Sequence, residues 1–267
     1  PREHTSKALG LTHLFYSSGE ALGAILGGVL VAFSFYHLII AQLFVSWIPL
    51  IVALFIKEPA HRARQTPNLK NIIFIWKHLL HDDRLLRGLA INFVINLLST
   101  FIVIWLVQKY WQENGIPLIY FGGLWAIYAF TLGFSSRSTH SLEKKWGAQR
   151  LLLLIPVLCA LTYFLMVFAH GGMALIVVVP LYIARGLNNV VYRDIINWRI
   201  PAELRATANS ILNFLFRFSF ALLGPLIGYA TDHVGLRPTL SILGSAVLIL
   251  TFLFTFPLWK MIKEVKF

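Results

Sequence analysis

Residues 173–194 read MALIVVVPLYIARGLNNVVYRD, and the fold turns on how that run is understood. Its first half is an unbroken apolar stretch of the kind that dissolves in lipid. Its second half places Arg185, Asn188, Asn189 and Tyr192 at i, i+3, i+4 and i+7, spacings that share one face of a helix. A strand would scatter the same residues over both of its faces. Arg185 is the thirteenth residue from Met173, which puts it near the middle of a span of ~20 residues. Arginine at that depth costs about 2.5 to 3.5 kcal/mol on insertion scales, so it faces a cavity or a charge partner rather than lipid.

Working outward, similar apolar stretches recur at about 9–30, 36–56, 86–108, 121–138, 150–169, 173–193, 207–230 and 240–259. Each is long enough to cross a bilayer as a helix. The runs are continuously apolar instead of alternating, which excludes a membrane β-barrel. The composition agrees: 58% of the 267 residues are hydrophobic, 14% aromatic and only 13% charged. We therefore expect an all-α membrane protein with eight transmembrane helices.

The net charge of +12 is no signature of nucleic-acid binding, because it follows the loops. Counting residues at the cytoplasmic ends of spans with the adjoining loops, nineteen of the 23 lysines and arginines fall on one side of the membrane, Lys109 and Arg237 fall on the other, and Arg185 and Arg217 lie deep within helices. The positive-inside rule makes both ends cytoplasmic, and the expected location is a bacterial inner membrane. Cys159 is the single cysteine, which excludes an intrachain disulfide or a cysteine metal centre. No metal or cofactor is expected. In the loop after the second span, NLKNIIFIWKHLL (68–80) aligns Leu69, Ile72, Ile73, Trp76, Leu79 and Leu80 against Lys70 and Lys77. That pattern predicts a helix lying on the cytoplasmic membrane surface.

An internal repeat organises the spans. PREHTSKALGLTHLFYSSGEALGAILGG (1–28) and PAELRATANSILNFLFRFSFALLGPLIGY (201–229) both open Pro-x-Glu and both close on Gly-x-x-x-Gly, so that Gly23 and Gly27 match Gly224 and Gly228. Six spans separate the two copies, which makes the repeating unit a six-helix bundle. The chain then divides into 1–56, the last two helices of one half, a loop at 57–85, and 86–267, a complete half. The first four helices of the other half would precede Pro1.

Three further polar stripes join the one at Arg185. They are His13, Tyr16 and Glu20 in the first span, Asn92, Asn96 and Ser99 in the third, and Ser210, Asn213 and Arg217 in the seventh. Polar side chains on apolar helices converge on a wet cavity or bond neighbouring helices together at ~1 kcal/mol or less each. The expected substrate or proton pathway comprises Glu20, Asn92, Asn96, Arg185, Asn189, Asn213 and Arg217. Arg193, Asp194 and Arg205 lie near the cytoplasmic end and are expected to clamp helices there. Gly19, Gly23, Gly27, Gly224 and Gly228 are expected at close helix contacts. Trp125 and Tyr128, one turn apart, are expected to be packing.

On these residues the chain resembles the major facilitator superfamily of secondary transporters, whose twelve helices form two six-helix halves. RATANSILNFLFRFSFALLGPLIGYATDHVGLRPTLSILG (205–244) resembles that family's tenth loop, eleventh helix and the start of its twelfth. QENGIPLIYFGGLWAIY (112–128) resembles its join between helices seven and eight, and SLEKKWGAQRLLLL (141–154) the second copy of its loop motif, with Glu143 where aspartate is usual. Gly10, Gly19, Gly23, Gly27 and Gly28 are similar to the glycine motif in the fifth helix of its proton-coupled exporters, although Ala24 replaces the usual proline. The resemblance implies a fragment equivalent to helices five to twelve. It also implies a small organic substrate, protons as coupling ion and export as the direction.

Import or facilitated passage on the same fold, and a receptor or assembly subunit that binds without transporting, remain open from the residues alone. An enzyme is not expected, because the chain has no spaced metal-ligand cluster, nucleophile elbow or phosphate loop. The orientation is directly measurable. In a Cys159→Ser background, a membrane-impermeant maleimide added to intact cells should label Ile116→Cys and leave Lys70→Cys unlabelled; the reverse pattern would invert the topology.

Overall fold

The structure, a computed structural model, describes residues 2–57 and 69–264. Most of the basic stretch after Lys57, the side chains of Leu69 and Lys70, and the last three residues lie outside that description. The described chain is helical throughout, with α1 (Arg2–Phe33), α2 (Phe35–Val45), α3 (Ile48–Phe55), α4 (Leu69–Lys77), α5 (Arg84–Glu113), α6 (Phe121–Trp146), α7 (Ala148–Phe168), α8 (Val179–Arg199), α9 (Arg205–His233), α10 (Leu236–Leu250) and α11 (Phe256–Glu264). Eight spans among them are long and apolar enough to cross a membrane.

Prolines explain where the elements depart from the sequence reading. Proline lacks an amide hydrogen and fits only the first turn of a helix without cost. Pro49 therefore restarts the second span as α3 after the turn at Ser46 and Trp47. Pro180 likewise starts α8 at Val179, and residues Gly171–Leu175 form a 3₁₀ turn instead of the expected helix. Arg185 is still the fifteenth residue of the Gly171–Arg199 span. Pro257 follows a π-helical turn at Thr251–Thr255, where Asn92 on α5 donates to the Phe254 carbonyl at 3.1 Å and accepts from the Thr255 hydroxyl.

One hydrophobic core joins α5, α6, α7, α8, the start of α9, α10 and α11, with Phe93, Trp111, Tyr128, Tyr163 and Tyr192 fully enclosed. The described helices α2 and α3 bury no residue. Helix α4 differs from the expected surface helix in its inner face. Ile75 and Leu79 anchor it to the core, and Trp76 meets Phe214 of α9 at 6.4 Å, whereas Ile72, Ile73 and Phe74 are exposed.

The most extensive helix–helix contact is α1 on α6, and its chemistry corrects the expectation for the glycines. Contact runs through Gly10, Leu14, Ser17, Ala21, Ala24 and Gly28, a three-four repeat, against Gly122, Ala126, Ala129, Gly133 and Ser136. A Cβ on Gly122 would stand 2.7 Å from the Ala24 carbonyl oxygen, and one on Gly10 would stand 2.7 Å from that of Ser136. Gly19 and Gly23 have nothing within 4 Å, and Gly27 meets only Leu38. Four-residue spacing marks a stripe without saying which side is covered; the seven-residue repeat is the one that follows a crossing partner. The nearest neighbour of Gly224 is Phe220 of its own helix, and Gly228 has nothing within 4 Å. Together with Trp105, Leu106 and Pro225 these two glycines line an open apolar groove between α5 and α9.

These contacts separate the glycines experimentally. Gly122→Leu and Gly133→Leu should each lower stability by ~1 to 3 kcal/mol through overpacking against backbone, read as a fall in unfolding temperature in detergent. Gly23→Leu should leave it unchanged or raise it, since leucine is the better helix former. Equal loss at Gly23 would place the α1–α6 seam on the wrong face.

Candidate functional site

Helix α8 turns Tyr182, Arg185, Asn189 and Arg193 to one side, and α1 brings Thr12, His13, Tyr16 and Glu20 opposite them. With Trp125 and Leu132 of α6, Leu97 and Phe101 of α5 and Phe216 of α9, they line a partly open cavity of about 650 Å³. That volume suits a small organic molecule. The seam between α1 and α6 fixes the α1 residues. A second close contact fixes α8, where a Cβ on Gly186 would stand 2.7 Å from the Leu132 carbonyl oxygen, and the Ser136 hydroxyl donates to the Gly186 carbonyl at 3.1 Å.

Both arginines of the cavity are under-partnered. The Arg185 Nη1 donates to the Thr100 hydroxyl at a long 3.4 Å, and its guanidinium lies 5.8 Å from the Phe101 ring centre. Arg193 lies 5.6 Å from the Phe93 ring centre, and its Nε is buried without a hydrogen-bond partner. Among the described residues neither arginine forms a salt bridge. Glu20 acts electrostatically on Arg185 and Tyr182, and His13 lies within reach of both arginines. A guanidinium of this kind carries donors for an anion and retains its proton throughout the physiological range.

Of the residues expected in the pathway, the structure gathers Glu20, Arg185 and Asn189 around the cavity. Asn92 and Asn96 instead face the bundle interior. Asn92 bonds the Gly88 and Phe254 carbonyls, and Asn96 donates to the Tyr192 hydroxyl at 3.3 Å. Their neighbour Ser99 offers its carbonyl to the Tyr163 hydroxyl at 2.7 Å. Asn92 and Asn96 are thus interhelical bonding, each with a partner on a neighbouring helix, whereas the Ser99 hydroxyl donates to the Ile95 carbonyl of its own helix at 2.8 Å. Asn213 and Arg217 are exposed on α9 and do not line the cavity.

The expected clamp also divides. Arg193 lines the cavity, Asp194 is buried, and the Arg205 Nε closes the turn after α8 by donating to the Ile200 carbonyl at 3.1 Å. Trp125 faces the cavity while Tyr128 is packing, its hydroxyl donating to the Leu175 carbonyl at 2.7 Å. The sequence reading missed Tyr182 and the cavity role of Arg193. The spacing of 182, 185, 189 and 193 continues the Arg185 stripe and was the available signal.

Ion pairs tie the two ends of α5. Lys109 bonds Asp232 of α9 at 2.9 Å, and at the opposite end Asp83 bonds Arg199 of α8 at 2.9 Å. Asp83 also caps α5, accepting from the Leu85 and Leu86 amides at 2.8 and 3.0 Å. Partial burial pushes the Asp83 carboxyl up, but the Leu86 amide, the Arg199 guanidinium and the Leu85 amide outweigh it and hold the carboxyl below the ordinary carboxylate range. Its stabilising contribution is thus complete above the unfolded value of about 3.9 and is lost as pH falls through the lower folded value. Asp83→Asn should cost up to ~1 kcal/mol at neutral pH, because asparagine keeps the cap and the partly solvated pair with Arg199 is what is lost. In denaturant titrations the gap to the wild type should close below pH 4; a gap that persists there would assign it to packing.

Among the described residues eight helices are long and apolar enough to cross a membrane and five of them line a charged cavity, an arrangement suited to passing a solute across a bilayer. No curated protein matches the sequence. The sequence profile of the Major Facilitator Superfamily matches residues 1–223, ending within α9. The chain belongs to that superfamily of membrane transporters, as an all-helical integral membrane protein.

Proposed function

We propose that this protein is a proton-coupled secondary active transporter that exports a small organic solute bearing an anionic group. Arg185 is the fixed anchor for that group, Asn189 and Arg193 stand beside it, and Glu20 carries the proton. In the same proposal 1–56 are the last two helices of one half and 86–267 form the other half. Both ends face the cytoplasm of a bacterial inner membrane. The glycine spacing of α1 supports export.

The observation that carries the reading is Arg185 itself, a cavity guanidinium at mid-span that has, among the described residues, a single weak hydrogen bond and no carboxylate pair. A static interhelical bridge would have paired it with Glu20 directly. Glutamate titrates where arginine does not, and its proton affinity rises in an apolar site and falls beside a cation. Arg185 and Glu20 line the same cavity, so an anion held by the one and a proton held by the other are coupled through a single site.

The test uses the full-length transporter in liposomes under an imposed pH gradient. Arg185→Lys should weaken substrate binding about tenfold, because the charge survives and the planar fork is lost. Glu20→Gln should remove the pH dependence of transport while leaving binding largely intact. The 1–267 chain alone should show no net uptake, since a site between two halves needs both. Wild-type transport and pH response in both variants would overturn the assignment, and binding without transport by the full-length protein would make it a receptor.

A further inference from the structure

Resting on the transporter reading above, we infer that the cavity takes flat aromatic monoanions. The carboxylate bonds to Arg185, and the ring lies between a Trp125–Tyr182 wall and a Phe101–Phe216 wall.

The first wall is rigid. The Tyr182 ring stacks on Tyr128 with centres 4.7 Å apart, and Tyr128 is pinned by its hydroxyl to Leu175. Trp125 meets Tyr182 edge-on at 6.4 Å and is backed by Trp111 at 6.1 Å. Across the cavity, Phe101 packs edge-to-face with Phe216 at 5.1 Å and with Phe220 at 4.7 Å. Rings held this way present π faces and edges that a flat ligand meets by offset stacking or edge-to-face contact. The Arg185 guanidinium stands over the Phe101 face, so the anion site and the aromatic slot adjoin. The Tyr182 hydroxyl is buried without a partner and is a further donor for a ligand oxygen.

The charge count selects a monoanion. Arg185, Arg193, His13 and Glu20 line the same cavity, and with the imidazole uncharged two guanidiniums against one carboxylate leave one positive charge to be met. An aliphatic dicarboxylate would overcompensate that charge and leave the rings uncovered. An aromatic cation would be repelled by the guanidiniums.

Isothermal titration of the purified full-length transporter in lipid nanodiscs at pH 8, with empty nanodiscs subtracted, tests the inference. The probes are 2-naphthoate, its saturated analogue decalin-2-carboxylate, succinate, and a naphthylmethyl trimethylammonium ion. 2-Naphthoate should bind at least about threefold tighter than the saturated analogue, in keeping with one or two aromatic contacts, and succinate and the cation should not compete. Arg185→Gln should weaken 2-naphthoate binding at least about tenfold. Trp125→Leu should erase the preference for the aromatic over the saturated ring while keeping anion binding, and Trp125→Phe should restore part of it. Helical content and a single elution peak verify that each variant is folded.

Equal affinity for the two ring systems, tighter binding of succinate, or unchanged binding in Arg185→Gln would overturn the inference. An aliphatic anion bound in place of 2-naphthoate removes the aromatic class and leaves anion transport standing. Failure of every anion to bind removes both.

Discussion

A guanidinium taken from water into hydrocarbon must find other dipoles or keep some of its water, and the penalty for failing is several kcal/mol. In this protein the surroundings of Arg185 share that task. Thr100 offers a hydroxyl, Phe101 a ring face, and Glu20 a negative charge across the cavity. None of these satisfies the fork fully, which leaves a site with unfilled capacity at the middle of its span. The helices around it are placed accordingly: α1 and α8 supply charge, α6 and α5 supply aromatic walls, and α9 closes one side with Phe216.

Holding a cavity open among apolar helices requires strong contacts elsewhere. Those contacts are made mainly by absent side chains. Gly10, Gly28, Gly122, Gly133 and Gly186 let α1, α6 and α8 approach backbone to backbone, gaining dispersion contacts in a medium where burial from water gives no advantage. The polar interior on the other side of α5 is a second fastening, in which Asn92, Asn96 and Ser99 bond the π-helical turn, α8 and α7. Polar residues on one sequence pattern thus serve two ends.

That division explains how much could be read beforehand. Span number and helical class were legible because about 20 consecutive apolar residues admit few other readings. Arg185, Asn189 and Glu20 were legible as a site because charge at mid-span has few places to go. Asn92 and Asn96 were not separable from them, since periodicity gives the shared face of a helix and is silent about what that face meets. Gly19 and Gly23 misled for the same reason: their spacing marked a stripe suited to close contact, but the contacting side follows Gly10, Ser17, Ala24 and their counterparts. Pro49, Pro180 and Pro257 marked each shift of helix start and needed only their missing amide hydrogen to be weighed.

The backbone contacts of α1 on α6 and of α6 on α8 have a mechanical meaning. A glycine seam tolerates almost no sliding or rolling, because every displacement drives carbonyl oxygens into α-carbons. Glu20, Trp125 and Arg185 therefore belong to one stiff plate. The opposite side of the cavity, on α5 and α9, meets that plate through side chains, including the Arg185–Thr100 bond and the Asn96–Tyr192 bond. Rotamer changes can absorb motion there. Compliance is thus concentrated on the Phe101–Phe216 wall, and the volume of the cavity is adjusted from that side while the charged face keeps its geometry.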